Sequence, residues 1–233
     1  MPVVVITGAS QGIGRATAVA FAGEPGAKIA LVSRNERKLQ ETAEACTARG
    51  TEAVCFACDV TDDEAVHAMA QSVLERWGAP DVLVNNAGAF RPGGLRQMNA
   101  ATFREQIEAN LTSAFLVTRA FLNPMIEAGR GDIFFMGSVA SIQAYPGGVA
   151  YCAAKHGLLG LARVVREETK GKNIRVTTLL PGATFTASWE GSGLPEDRFM
   201  PPEDIARTML DIYRLDPRTV VEEVLLRPRL GDI

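Results

Sequence analysis

Seven short runs of β-branched and apolar residues, each separated from the next by a longer stretch, constrain this chain more than any other feature. The runs are VVVIT (3–7), KIALVS (28–33), AVCFA (53–57), DVLVN (81–85), DIFFMG (132–137), RVTTLL (175–180) and EEVLLR (222–227). Each is bounded by turn residues, and several lack strict polar–apolar alternation, as strands covered on both faces do. Between them, 14–22, 36–49, 64–77, 149–170 and 202–214 carry helical spacing, and 102–128 reads as one long helix or two abutting ones. Strand then helix, repeated, predicts right-handed βαβ units. The expected fold is α/β, a Rossmann-type doubly wound sheet of seven mostly parallel strands with helices on both faces. No repeat or linker interrupts the series, so residues 1–233 read as a single domain.

The balance of charges narrows the partners. With 24 basic and 27 acidic residues the net charge is -3, which provides no basic field for nucleic acid or an acidic membrane. No apolar run reaches the ~20 residues that span a bilayer. The opening MPVVVITG enters a glycine turn directly and reads as a first strand, so the expected location is cytoplasmic. Four cysteines include the pair Cys55 and Cys58, but neither His67 nor His156 stands at ligand spacing from it. Buried structural thiols are expected, and no metal site.

The first turn, TGASQGIGRA, has glycines at 8, 12 and 14. Glycine permits positive φ and close approach of the backbone, and the helix that follows offers free N–H groups to a pyrophosphate. The second strand ends Ser33-Arg34-Asn35 without the carboxylate that would grip a ribose diol. A serine and a guanidinium suit a 2′-phosphate instead, with Arg15 as a second cation, so NADP(H) is the expected cofactor. Further along, strand ends carry Asn85-Asn86-Ala87-Gly88, Gly137-Ser138 and Pro181-Gly182, and a helical stretch carries Tyr151 and Lys155 four residues apart. Taken alone that pair is an ordinary surface couple. Asn110, in the middle of a helical pattern, is a mediocre helix former that wants a reason.

In combination, TGxxxGxG at 7–14, Asp59, NNAG at 85–88, Asn110, Ser138, YxxxK at 151–155 and PG at 181–182 resemble the short-chain dehydrogenase/reductase family, from about residue 3 to 227. The resemblance implies a catalytic group of Asn110, Ser138, Tyr151 and Lys155. Tyr151 would act as general acid/base in hydride transfer between NADP(H) and a carbonyl or secondary alcohol, with Ser138 polarising the carbonyl. Lys155 would hold the nicotinamide ribose, and Asn110 would anchor a water. A phenol near pKa 10 needs about 4 kcal/mol of preferential phenolate stabilisation to fall by about 3 units, and Lys155 with a pyridinium ring is expected to supply it.

The same resemblance places Gly8, Ser10, Gln11, Gly12, Ile13 and Gly14 at the pyrophosphate. It puts Ser33, Arg34, Asp59 and Val60 at the adenosine, Asn85, Ala87 and Gly88 at its ribose, and Pro181, Gly182, Thr184 and Thr186 near the nicotinamide. Thr184 stands where the family often has valine. Phe90, Arg91, Gln143, Tyr145, Phe185 and Trp189 are candidates for lining a small-molecule substrate pocket, with 183–200 as a short lid. For the aromatics of that segment, packing into the core remains an equal alternative. A homotetramer or homodimer through 102–128 and 149–170 is implied by analogy. Two other readings stand beside this one: an NAD-linked sugar or steroid alcohol dehydrogenase, and a non-catalytic dinucleotide-sensing scaffold.

Overall fold

The computed structural model describes residues 1–189 and 191–233. Its strands are β1 (Val3–Thr7), β2 (Lys28–Ser33), β3 (Glu52–Ala57), β4 (Val82–Asn85), β5 (Gly131–Met136), β6 (Ile174–Pro181) and β7 (Glu223–Leu226). They form one sheet in the order β3-β2-β1-β4-β5-β6-β7, and every pairing is parallel. The helices are α1 (Gly12–Phe21), α2 (Glu36–Thr47), α3 (Asp63–Trp77), α4 (Ala100–Ile107), α5 (Ser113–Ala128), α6 (Val149–Thr169) and α7 (Pro202–Tyr213). Between α4 and α5 lies a π-helical turn, Glu108–Thr112. The sequence stretch 102–128 is therefore two helices joined by an irregular turn.

Residue parity divides the core. Val5, Val32, Leu83, Ile133 and Phe135 pack against α3, α5 and α6. Their strand neighbours Val4, Ile6, Leu31, Val84, Phe134 and Met136 pack against α1, α2 and α7. Successive side chains on a strand point to opposite faces, so β5 commits Phe134 to one layer and Phe135 to the other. Both rings are fully buried, each worth about 1.5–3 kcal/mol on transfer from water. The same rule separates Cys55 from Cys58: Cys58 joins the α3–α5–α6 layer and Cys55 the other. Cys46, Cys58 and Cys152 are buried and Cys55 partly so, all as free thiols, and burial raises Cys46 and Cys58 to about 11.

The chain runs from β1 through β2 to β3 at one edge and then crosses back to β4 on the other side of β1. Loops leaving the carboxyl ends of β1 and β4 diverge there and leave a crevice, where open α/β sheets bind ligands. Among the described residues no helix is long and apolar enough to cross a membrane.

Candidate active site

A cleft of about 560 Å3 opens along the carboxyl edge of the sheet, within the usual size of ligand sites. Its floor is the β1–α1 turn. Gly8 and Gly12 have φ of +65° and +54°, conformations that L side chains resist. A Cβ at Gly14 would stand 2.3 Å from the Gly8 carbonyl oxygen and 2.6 Å from Asn86 Nδ2. The three glycines thus fold the backbone onto itself beneath the first turn of α1. Gly8, Ser10, Gln11, Gly12 and Ile13 line the cleft, whereas Gly14 is buried under the turn and shapes it without facing the space. This cradle fits the pyrophosphate of a dinucleotide.

Asn86 locks the cradle. Its Nδ2 donates to the carbonyls of Thr7 (2.9 Å) and Gly8 (3.2 Å), and Thr7 Oγ1 accepts from the backbone N–H groups of Asn86 and Ala87. Asn85, expected at the ribose, is instead 3 % exposed and donates from Nδ2 to Thr118 Oγ1 on α5 at 2.9 Å. Of two adjacent asparagines at a strand end only one can face a given side, and here Asn86 lines the cleft. The doublet gave no means of choosing between them.

At the far end of the cleft, Ser33 donates to Ser10 Oγ at 3.1 Å. Arg34 pairs with Asp59 at 3.6 Å, with side chains 78 % and 42 % exposed. The Thr61 backbone N–H and hydroxyl, helped by Arg34, hold the Asp59 carboxyl below its ordinary value. Ser33, Arg34, Asp59, Val60 and Thr61 all line this end. Lys38, which drew no notice in the sequence, reaches back to Gln11 Oε1 at 2.7 Å. Arg15 does not reach the cleft lining.

The opposite end gathers the four chemically reactive residues. Ser138 lies two residues past β5 and caps a short 3-10 turn (Val139–Ser141): its Oγ accepts from Ala140 N, and Ser141 Oγ accepts from Ser138 N. Two local bonds therefore orient this serine. Tyr151 lies in the first turn of α6, and Lys155 follows one turn later on the same face. Lys155 is 3 % exposed, donates to the Met136 carbonyl at 2.7 Å, and sits 5.5 Å from the Tyr151 ring centroid. Asn110 occupies the π-helical turn. Its Nδ2 donates to the carbonyls of Ala89 (2.8 Å) and Gln106 (2.9 Å), and its Oδ1 accepts from Ala89 N. That explains an asparagine inside a helical pattern: its side chain pins the segment after β4. All four line the cleft.

Burial lifts the Tyr151 phenol to about 12, the Ser138 hydroxyl pulling the other way, and burial draws the Lys155 ammonium down to about 8. The resemblance implies that Lys155 and the pyridinium of a bound dinucleotide together lower the phenol. Within the protein alone desolvation dominates at the phenol, and Lys155 donates to the Met136 carbonyl.

Around the mouth beyond Tyr151, Phe90 meets the Tyr151 ring edge-on with centroids 5.1 Å apart. Gln143, Tyr145 and Trp189 also line this end, as do Thr184, Thr186, Pro181 and Gly182. Two expected substrate residues do not. Arg91 points outward to Glu105, 2.8 Å away, and Phe185 turns to Phe199 at 5.7 Å between centroids. A partner on α4 claims the one, and an aromatic neighbour the other. The segment from Ala183 to Met200 is closed at its base, where Phe185 N donates to Met200 O and Met200 N to Ala183 O. Asp232 and Ile233 complete the lining. Nothing in their sequence neighbourhood signals that role, which arises from the fold-back after β7.

The cradle, the switch-point crevice and the Ser138–Tyr151–Lys155–Asn110 end coincide with a match of residues 2–196 to the family described as short chain dehydrogenase. The chain belongs to the short-chain dehydrogenase family. It is 36% identical to the sepiapterin reductase of Chlorobaculum tepidum, across 99% of this chain and 98% of that one. Among solved structures, an alcohol dehydrogenase from the archaeon Thermococcus sibiricus complexed with 5-hydroxy-NADP superposes with a TM-score of 0.93 at 33% identity, covering 100% of this chain and 99% of that one. A metagenomic short-chain oxidoreductase in complex with NADP gives 0.87 at 36%, covering 99% and 98%. As a short-chain dehydrogenase the chain is an oxidoreductase of a family that binds nicotinamide dinucleotides, and the cleft just described is where its residues fit one.

Proposed function

We propose that this protein transfers hydride between NADP(H) and a carbonyl or secondary alcohol, working as a carbonyl reductase. The observation that carries the reading is the meeting of Ser138, Tyr151, Lys155 and Asn110 at one end of a cleft whose floor is the glycine cradle. When bound, the dinucleotide supplies or accepts the hydride. Gly8 to Ile13 would hold its pyrophosphate, Ser33, Arg34, Asp59, Ala87 and Gly88 its adenosine, and Pro181, Gly182, Thr184 and Thr186 its nicotinamide half.

The residues of the chain provide the proton chemistry. With a pKa near 12 the Tyr151 phenol is protonated at neutral pH, the form needed to give a proton to a carbonyl oxygen as its carbon becomes tetrahedral. Ser138, fixed by its cap bonds, hydrogen-bonds the same oxygen and sets its position. Lys155, with its pKa drawn down to about 8, is poised to change charge near physiological pH and restore the phenol's proton. Asn110 and Gly88 hold that end in shape: a Cβ at Gly88 would stand 2.6 Å from Asn110 Oδ1 and 3.7 Å from Lys155 Nζ. One dinucleotide-binding domain carries the whole reaction, with 183–200 as its substrate lid.

The test is NADPH absorbance with a panel of ketones and aldehydes, repeated with NADH and with Tyr151→Phe. Consumption of NADPH by the wild type that the variant abolishes is the expected result. Equal rates in the variant would overturn the role of Tyr151, and a preference for NADH would overturn that of Arg34.

A further inference from the structure

We propose that Asp232, held by Arg227, makes the substrate mouth selective for uncharged, flat carbonyl compounds and turns anionic ones away. The inference rests on the carbonyl-reductase reading and names the substrate class for that site. Three aromatic walls, Phe90, Tyr145 and Trp189, surround the space beyond Tyr151, and such faces favour planar unsaturated molecules. Among the described lining residues, the charged side chains at this end are those of Asp232 and Lys155. Lys155 is buried behind Tyr151 and hydrogen-bonded to Met136. Asp232 is thus the charged side chain that faces the cleft here without being buried behind Tyr151.

Arg227 fixes how that charge is presented. Its Nη1 pairs with Asp232 Oδ2, and its Nη2 donates to Gln143 Oε1 at 3.2 Å. One guanidinium thereby ties the segment after β7 to the loop between Ser138 and Tyr151. Asp232 Oδ1 lies toward Gly182, 3.3 Å from where a Cβ there would stand. Gln143 and Asp232 line the cleft while Arg227 stands behind them. A substrate entering here meets a carboxylate oxygen and the amino end of an amide, which suit a neutral polar group. Arg91, which follows Phe90 in the chain, is turned away to Glu105.

A matched pair of probes tests this: ethyl benzoylformate and benzoylformate share a ketone and a ring and differ by one charge. Wild-type kcat/KM with NADPH should favour the ester by at least about tenfold. Asp232→Asn should shrink that ratio about threefold, chiefly by lowering KM for the acid, and Arg227→Gln, which removes the balancing charge, should widen it. Opposite movement in the two variants is the signature, since simple loosening of the wall would shift both the same way. Equal use of acid and ester by the wild type, no turnover of the ester, or variants moving together would overturn the proposal. Tyr151→Phe separates the two readings: if it abolishes turnover of both probes while the wild type uses them equally, the hydride-transfer reading stands and the selectivity fails.

Discussion

At the Arg34 end of the cleft, the guanidinium that would meet the adenosine stands in solvent, 78 % exposed and paired at 3.6 Å with the partly exposed Asp59. At the Tyr151 end, Lys155 and Asn110 keep 3 % and 1 % exposure and use strong bonds to backbone carbonyls. The first arrangement acts by long-range attraction, which water and salt weaken. The second acts by desolvation, which displaces pKa values and holds atoms in place. One end of the site can therefore change residues at small structural cost, whereas the other is built into the core. Recognition and reaction are separated along a single groove.

Four perturbations would break or sharpen this contrast. Tyr151→Phe should lower kcat by about 1,000-fold while dinucleotide affinity stays within about twofold, read by steady-state rates and by titration. Comparable losses in both would place the phenol in binding instead. Gly14→Ala drives a Cβ against the Gly8 carbonyl. It should weaken dinucleotide affinity by about 100-fold and lower the melting temperature, as strain at a packed turn does.

Lys155→Met should abolish activity yet stabilise the dinucleotide-free protein by about 2 kcal/mol at pH 7. The sign follows from the ammonium's depressed pKa near 8. Below pH 8 the folded wild type carries a buried charge that costs stability. Between 8 and the unfolded value near 10.5 the unfolded chain binds more protons, so wild-type stability rises and the advantage of the variant fades. Chemical denaturation at pH 7 and pH 10 checks this, and a gap that does not narrow would contradict it. Smallest is Arg34→Ala: the ratio of kcat/KM for NADPH over NADH should fall about tenfold at low salt and far less at 1 M.

Periodicity made the sheet legible, because strand parity and turn residues are local properties. β1 and β2 begin and end where their apolar runs do, and the remaining strands shift by a residue or so. The long pattern at 102–128 hid its π-helical turn, since a five-residue irregularity is shorter than the window over which apolar periodicity can be read. Within the site, Ser138, Tyr151, Lys155 and Asn110 announce themselves through motif spacing and do line one cleft. Asn85, Arg91 and Phe185 misled because their side-chain directions depend on Thr118, Glu105 and Phe199, residues distant in sequence. Asp232 and Ile233 were silent for the converse reason: the fold brings them to the cleft and no local pattern marks them.

The π-helical turn also sets the phase of everything around it. Upstream, α4 is aligned to serve the groove: Gln106 clasps the Arg91 backbone through both its amide ends. Downstream, α5 is aligned to bury Val117, Phe121 and Met125 in the interior. Deleting a single residue from 108–112 would rotate one helix by about 100° relative to the other. No regular helix could then present Asn110 to Ala89 and keep Phe121 dry. This short irregularity is a gearing between two surfaces that the sequence must satisfy together.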